Sequence, residues 1–432
     1  MIKKGLELRE FLEIEGGHNL SGTIEVSGAK NAALPNMAAT ILTEEEVILE
    51  NLPMLLDVFT MKDLLRFIGF EIQKKDTGVY IFKQNTVNSL VAPYDLVSKM
   101  RASILVLGPM LSRFKYAKVA LPGGCSIGTR PVDLHLKALE KMGAHIKVEH
   151  GYIIARAYNG LKGAEINFEK ITVTGTENIM MAAVLAEGQT IINNAAKEPE
   201  VVDLAKMLKK MGADIQGEGT SRIIINGVKK LKGTNHKIIP DRIEAGTFAV
   251  LSALFDGNII IKNYPNQYLK YVNKVFRKIG IHIIPIGENE VIVRREKNLR
   301  PVSIQTKEYP FFPTDLQAQF MTLLSIVKGV SKITENIFEN RFMHVPELKR
   351  LGADIKVENR TAFIKGVKKL TGAEVKATDL RASAAMVLAG LIAEGKTRIY
   401  DIYHLDRGYE NIDIKLKNLG AKIYRGVVEK EI

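Results

Sequence analysis

The sequence predicts an α/β protein of two halves, each built from three copies of a βαβαββ unit. A short pattern, apolar-basic-apolar-Gly followed by a strand, recurs as LLRFIGFEI, ALEKMGAHI, MLKKMGADI, VFRKIGIHI, ELKRLGADI and KLKNLGAKI. Its glycines, Gly69, Gly143, Gly212, Gly280, Gly352 and Gly420, are spaced by 74, 69, 68, 72 and 68 residues, so six units of about 70 residues fill the 432. Further marks keep that register. GVKKLKG at Gly227 and GVKKLTG at Gly366 lie two units apart, and AEGQTI at Gly188 and AEGKTRI at Gly395 lie 207 residues, or three units, apart.

The third unit shows the order of elements. A strand is expected at INFEKITV, a helix from Glu177 to Ala186, a strand at TIINN, a helix from Glu200 to Met211, and a hairpin joining ADIQG to RIIIN. The second helix ends on Gly212, which tolerates the left-handed conformation at a helix end. The first helix of each unit, such as NIMMAAVLA or LRASAAMVLAGLIA, is apolar nearly all round, which marks a buried helix. Each half therefore has helices inside and sheets outside.

Composition narrows the function classes. A chain with 46% hydrophobic residues is not disordered, and at this length it suits two domains. One cysteine excludes an internal disulfide, no run of 18 apolar residues occurs, and MIKKGLELREFLEIEGG lacks the core of a signal peptide, so a cytoplasmic protein is expected. The 61 Lys and Arg against 48 Asp and Glu give a net charge of +13. With 7% aromatics, no Trp and dispersed charge, small anionic substrates fit better than nucleic acid or a membrane. The eight histidines show no HExxH spacing, and no GxxxxGK[ST] loop or GxSxG elbow is present, so neither a metal nor another cofactor is expected.

The one cysteine, Cys125, lies in LPGGCSIGTRPVD. Pro122, Gly123, Gly124 and Gly128 keep this stretch out of regular structure. A helix is expected from Pro131 to Gly143 on Val132, Leu136 and Leu139, which brings Arg130 and unpaired N–H groups together at a helix N-terminus. That is an anion-attracting setting, and it lowers a thiol from its ordinary pKa of about 8.5. A lone cysteine serving only as a small hydrophobe is the bland alternative.

Elsewhere the repeats differ where strand meets helix: GAKN at Lys30 and Asn31, KMRAS at Arg101, TGTEN at Thr176 and Glu177, PDRIEAG at Asp241 to Glu244, FPTDLQAQ at Asp315, and TDLRASA at Asp379 and Arg381. Capping accounts for Asp and Thr at such places. It does not account for Lys30, Arg101 and Arg381, because a cation opposes the helix dipole there unless an anionic ligand is bound. HLDRGYENI, with Arg407 and Glu410, and ENIFENRFMHVPEL, with Arg341 and His344, follow later.

With SGAKNAALP, APYDLVSKMRAS, NAAKEPEVVD and YHLDRGYENI added to these stretches, nearly the whole chain resembles the UDP-N-acetylglucosamine 1-carboxyvinyltransferases (enolpyruvyl transferases) of the EPSP synthase-like family. The resemblance implies an inside-out α/β barrel fold, with residues 30–239 forming one domain, 1–29 joining 240–432 in the other, and the site in the cleft between them. It implies transfer of the enolpyruvyl group of phosphoenolpyruvate to the 3-hydroxyl of UDP-N-acetylglucosamine, with release of phosphate, at the first committed step of peptidoglycan synthesis. Cys125 resembles the general acid, and hence the target of fosfomycin. Lys30, Asn31, Arg130 and Arg407 resemble the grip on phosphoenolpyruvate. Asp315 resembles the residue that takes the hydroxyl proton, though its place also suits a helix cap. Arg101, Arg130, Pro131, Val132, Asp133, Leu134, Lys170, Thr172, Val173 and Ile337 map onto the nucleotide-sugar contacts, and Asp379 and Arg381 onto support of the reacting centre. The implied partners are these two small molecules. Two rival readings are a shikimate 3-phosphate enolpyruvyl transferase and an inactive paralogue acting as a binding protein. The presence of Cys125, Lys30 and Arg407 argues against the second.

Overall fold

The computed structural model describes residues 7–121, 132–255 and 258–430. They fall into two compact units, one of residues 28–121 and 132–239, the other of 7–27 and 240–430. Each has its own apolar core.

The described strands form six four-stranded sheets, three in each unit, all of one design. One edge strand runs parallel to its neighbour and the remaining pairs are antiparallel. In the third repeat Glu165–Asn167 runs parallel to Gln189–Asn193, which pairs antiparallel with Arg222–Asn226, which pairs with Asp214–Gln216. Strand residues alternate between buried and exposed, as in Arg222–Asn226, so each sheet turns one face to the core.

Three sheets are completed by distant parts of the chain. The strand Glu7–Glu15 lies between Lys396–Tyr400 and Lys422–Lys430, in the place that a hairpin strand takes elsewhere. Thr234–Lys237 supplies the parallel edge beside Val47–Glu50, and Gly22–Glu25 supplies the one beside Ile259–Lys262.

Within each unit three helices are sheathed by the sheets. In the unit of residues 240–430 these are Arg242–Leu254, Gln317–Leu324 and Leu380–Ile392, which contact one another. Every residue of Arg242–Leu254 is buried, as its apolar circumference requires. The partner helices, such as Leu56–Ile68 and Lys270–Ile279, are one-sided and end on the repeat glycines. All six of those glycines have positive φ, from 92° at Gly352 to 125° at Gly69, which is the conformation that sets their identity.

The third repeat corrects one expectation. The strand stops at Asn167, and the helix runs from Val173 to Ala183, so ITV is not strand. The Thr172 side chain accepts from the Gly175 N–H at 3.1 Å and caps the helix, which starts at Val173, four residues before Glu177. A local cap outweighs the β-branched run that suggested a strand. KMRAS also opens differently, with Arg101 starting a 3-10 helix, Arg101–Val106, that leads into Leu107–Phe114.

Candidate active site

Cys125, Arg130 and Pro131 lie outside the described residues, and the remaining candidates form a set in each unit.

In the unit of residues 28–239, Lys30 is the first residue of the helix Lys30–Ala39, whose N-cap Ala29 offers no side-chain bond. Lys30 is 9% exposed, and its Nζ lies 3.0 Å from Oδ2 of the buried Asp57. The cation at this helix N-terminus is therefore offset by a carboxylate as well as by any ligand, which revises the expectation that only an anionic ligand explains it. Asn31, the next residue, is exposed.

Arg101, Asp133 and the segment after Lys170 meet at a residue not singled out in the sequence, His135. Its imidazole is buried in the helix Asp133–Lys141. Asn178 Nδ2 donates to His135 Nδ1 at 3.0 Å, and Thr174 Oγ1 lies 3.3 Å from Nε2. The Asn178 amide is itself fixed, because its Oδ1 accepts from the Gly108 N–H and its Nδ2 also donates to the Ile104 carbonyl. With Nδ1 an acceptor, the neutral ring carries its proton on Nε2. Burial pushes the His135 pKa down to about 4; the nearby Arg101 adds to this and Asp133 opposes it. Val132 and Leu134 flank this point half-buried, whereas Asp133 and Lys170 are exposed. Val173 begins the helix that Thr172 caps. Glu177, in the same helix, is fully buried, and burial with the charges of Glu200 and Glu198 raises its pKa.

In the other unit the centre is Asp315, in the 3-10 turn Thr314–Leu316. It is not a helix cap: the following helix, Gln317–Leu324, has Leu316 at its N-cap and no side-chain cap. Instead Arg341 Nη2 donates to Asp315 Oδ1 at 3.0 Å, and Arg381 Nε and Nη2 reach Oδ2, both at 3.1 Å. The carboxylate is 27% exposed while both arginine side chains are 4% exposed. Two buried cations thus hold one accessible anion. Burial works most strongly against the charge on Arg381, but Asp315, Tyr409 and Asp241 together outweigh it and raise its pKa, so the guanidinium stays protonated.

Asp379 is a cap, accepting from the N–H groups of Arg381 and Ala382 at 2.8 and 3.0 Å. It fixes the backbone of Arg381, whose side chain fixes Asp315. Buried Glu335 ties the neighbouring turn together. Its Oε1 accepts from the Thr306 hydroxyl and the N–H groups of Ile337 and Phe338, and its Oε2 accepts from the Thr314 hydroxyl beside Asp315. The same carboxylate thus ties Ile337 to Thr314, the residue before Asp315. His344, fully buried, is pushed down to about 4 by burial, with Asp379 opposing and Arg341 adding. Arg407 is half-buried at the end of the short helix Tyr403–Asp406, and its charge and that of Asp379 both act on His404, whose pKa is lowered chiefly by burial.

Sequence reading passed over Asp57, His135 and Glu335, and gave no role to Arg341. Glu335 and Arg341 lie inside the quoted stretch ENIFENRFMHVPEL, and His135 lies just past the cysteine stretch, so position within a motif was the available signal. Among the described residues no cluster of three His, Cys, Asp or Glu could hold a metal ion, and no helix is long and apolar enough to cross a membrane.

Comparison with known proteins gives a consistent result. The family model described as EPSP synthase (3-phosphoshikimate 1-carboxyvinyltransferase) matches residues 14–416. The UDP-N-acetylglucosamine 1-carboxyvinyltransferase 1 of Caldanaerobacter subterraneus subsp. tengcongensis is 53% identical, covering 95% of this chain and 98% of its own. The UDP-N-acetylglucosamine 1-carboxyvinyltransferase of Magnetococcus marinus is 54% identical over the same shares. Among solved structures, the enolpyruvyl transferase NikO from Streptomyces tendae superposes with a TM-score of 0.88 at 23% identity, covering 98% of this chain and 100% of its own. An EPSP synthase from Acinetobacter baumannii superposes with a TM-score of 0.74 at 19% identity, covering 97% and 100%. These two likenesses concern the fold.

Proposed function

The chain belongs to the EPSP synthase family, and from that premise we propose that it transfers the enolpyruvyl group of phosphoenolpyruvate to the 3-hydroxyl of UDP-N-acetylglucosamine, releasing phosphate. The observation that carries this reading is the 53–54% identity, over 95% of the chain, to enzymes named for that acceptor. The protein is then a transferase of peptidoglycan synthesis acting in the cytoplasm, where phosphoenolpyruvate is made.

The reaction is addition followed by elimination. The 3-hydroxyl oxygen bonds to C2 of phosphoenolpyruvate as a proton reaches the C3 methylene. The tetrahedral intermediate then loses a proton from the new methyl group and expels phosphate. Cys125 is the donor to C3, and Asp315 takes the hydroxyl proton.

The guanidinium groups of Arg341 and Arg381 support this role for Asp315, since they hold the carboxylate aimed while leaving it partly exposed. A carboxylate so paired is a weak base, so it accepts the proton only as the forming C–O bond acidifies the hydroxyl. Lys30, Asn31, Arg130 and Arg407 are assigned to the phosphate and carboxylate of phosphoenolpyruvate, where fixed cations stabilise developing negative charge. Arg101, residues 130–134, Lys170, Thr172, Val173 and Ile337 are assigned to the nucleotide sugar, and Asp379 and Arg381 to support of Asp315.

The test supplies the purified protein with phosphoenolpyruvate and either UDP-N-acetylglucosamine or shikimate 3-phosphate and follows phosphate release. Release with the nucleotide sugar alone is expected. Release with shikimate 3-phosphate alone moves the acceptor and keeps the chemistry, and release with neither overturns the proposal.

A further inference from the structure

We infer that the fourth repeat carries a docking groove for a partner protein, which it takes as an added strand of alternating acidic and apolar residues.

The fourth repeat departs from the other five twice at one place. Its one-sided helix, Lys270–Ile279, contains no acid, whereas the helices in the same position elsewhere contain Asp63, Glu140, Asp203, Glu347 and Asp413. Lys270, Lys274 and Arg277 recur at i, i+4 and i+7 and so share one face. All three are exposed, and among the described residues none forms an ion pair. The helix dipole accounts for Arg277 near the C-terminus and opposes Lys270 in the first turn.

The strand that follows, Ile281–Gly287, is the edge of its sheet and reads IHIIPIG, without Lys, Arg, Asp or Glu. Ile284 is 42% exposed and Ile286 50%. The place of Ile284 is taken by Gln73, Lys147, Gln216 and Lys356 in the first, second, third and fifth repeats. Polar and charged residues of that kind guard a free edge against pairing, and here they are missing.

The edge is open to a partner. The Glu296 N–H bonds the Gly280 carbonyl at 2.8 Å, which sets the alternation of the ladder. His282 and Ile284 turn their backbone groups inward to Arg294 and Ile292, so Ile281 and Ile283 turn theirs to the free edge. Pro285 falls in the outward set, where its missing N–H costs the ladder no bond. Ile281 belongs to the core and Ile283 packs against it, on the side of the helix, so Ile284 points to the opposite face.

A groove of about 680 Å³ joins the two departures, with Lys270, Lys274 and Arg277 on one side and Ile281, Ile283 and Pro285 on the other. A strand laid along it meets backbone N–H and C=O groups, cations on the helix side and Ile284 on the outer face. The matching segment therefore alternates acidic residues, facing the helix, with apolar residues on the other side. Glu296 does not serve the cations from within, since it is paired with His282 and Arg300. A second copy of this chain fits poorly, because pairing about a two-fold axis would set two cationic helices side by side.

The test measures, by fluorescence anisotropy with the whole protein, binding of a labelled synthetic peptide that alternates valine and glutamate. A peptide of the same composition, with its valines and glutamates in two blocks, is the control and should bind about tenfold more weakly or worse. Lys274→Glu combined with Arg277→Glu should weaken the alternating peptide by about tenfold or more. Ile284→Gln, which installs the residue of the first and third repeats, should weaken it by about threefold or more. Hydrogen exchange at the Ile283 N–H should slow when the peptide is bound. If the double charge reversal does not fold, Lys274→Gln reads the same charge dependence. Equal binding of the two peptides, or binding that leaves Ile283 exchange unchanged, would show a surface that attracts anions without adding a strand and would overturn the inference. Failure of the alternating peptide to bind overturns it as well.

Discussion

At the scale of residues, the cations that stood out in the sequence are held by carboxylates far away along the chain. Lys30 meets Asp57, 27 positions on, and Arg381 meets Asp315, 66 positions back. No spacing rule links such pairs, so the cations were legible in the sequence and their partners were not. The Lys30–Asp57 pair is buried, and removing one member of such a pair costs about 3 kcal/mol or more, because the remaining charge is uncompensated. Asp57→Asn should therefore lower the melting temperature. If Lys30 grips phosphoenolpyruvate, the ligand should restore more of the loss in the variant than it adds to the parent protein. Equal ligand-induced shifts in both proteins, measured by thermal denaturation, would count against that assignment.

At the scale of elements, the repeat glycines do two different jobs that sequence alone does not separate. Gly212 has a φ of 103°, and a Cβ on it would meet nothing within 4 Å, so alanine there carries only a conformational penalty of about 1 kcal/mol. Gly227 has no positive φ, yet a Cβ on it would sit 1.6 Å from the Ala186 carbonyl oxygen, so the backbone itself would have to move. Denaturant titration should show Gly227→Ala to be destabilised clearly more than Gly212→Ala. The reverse order would mean that the repeat can relax at Gly227. The misread helix start at Val173 belongs to this scale too. Ile171, Thr172 and Val173 look like strand residues, but the Thr172 side chain captures the Gly175 N–H and starts the helix.

At the scale of the whole molecule, each unit buries a histidine held neutral, His135 in one and His344 in the other. Their folded pKa values of about 4 lie below the ordinary 6.5, so between those pH values the unfolded chain binds protons that the folded chain does not. Stability is then full above pH 6.5 and is lost as pH falls through 4. Shifts of this size correspond to about 3 kcal/mol for each histidine. Melting temperature followed from pH 7 to pH 4 should fall across this window, and His135→Gln should flatten part of the fall. A flat profile in the parent protein would show that neither imidazole is held neutral.

The sequence by itself determined the repeat, the inside-out layering within each unit and the identity of most polar candidates, because these depend on short-range periodicity, on helices apolar all round and on glycines at fixed offsets. Tertiary structure alone decided how three of the sheets are completed, with Glu7–Glu15 lying beside Lys422–Lys430, Thr234–Lys237 beside Val47–Glu50 and Gly22–Glu25 beside Ile259–Lys262. It alone decided that Asp315 is gripped by two arginines and is no cap. The reason is physical. Backbone pairing between distant strands and the partners of a buried carboxylate depend on which groups meet once the core has closed, and residues 26 to 423 positions apart carry no local mark of that meeting.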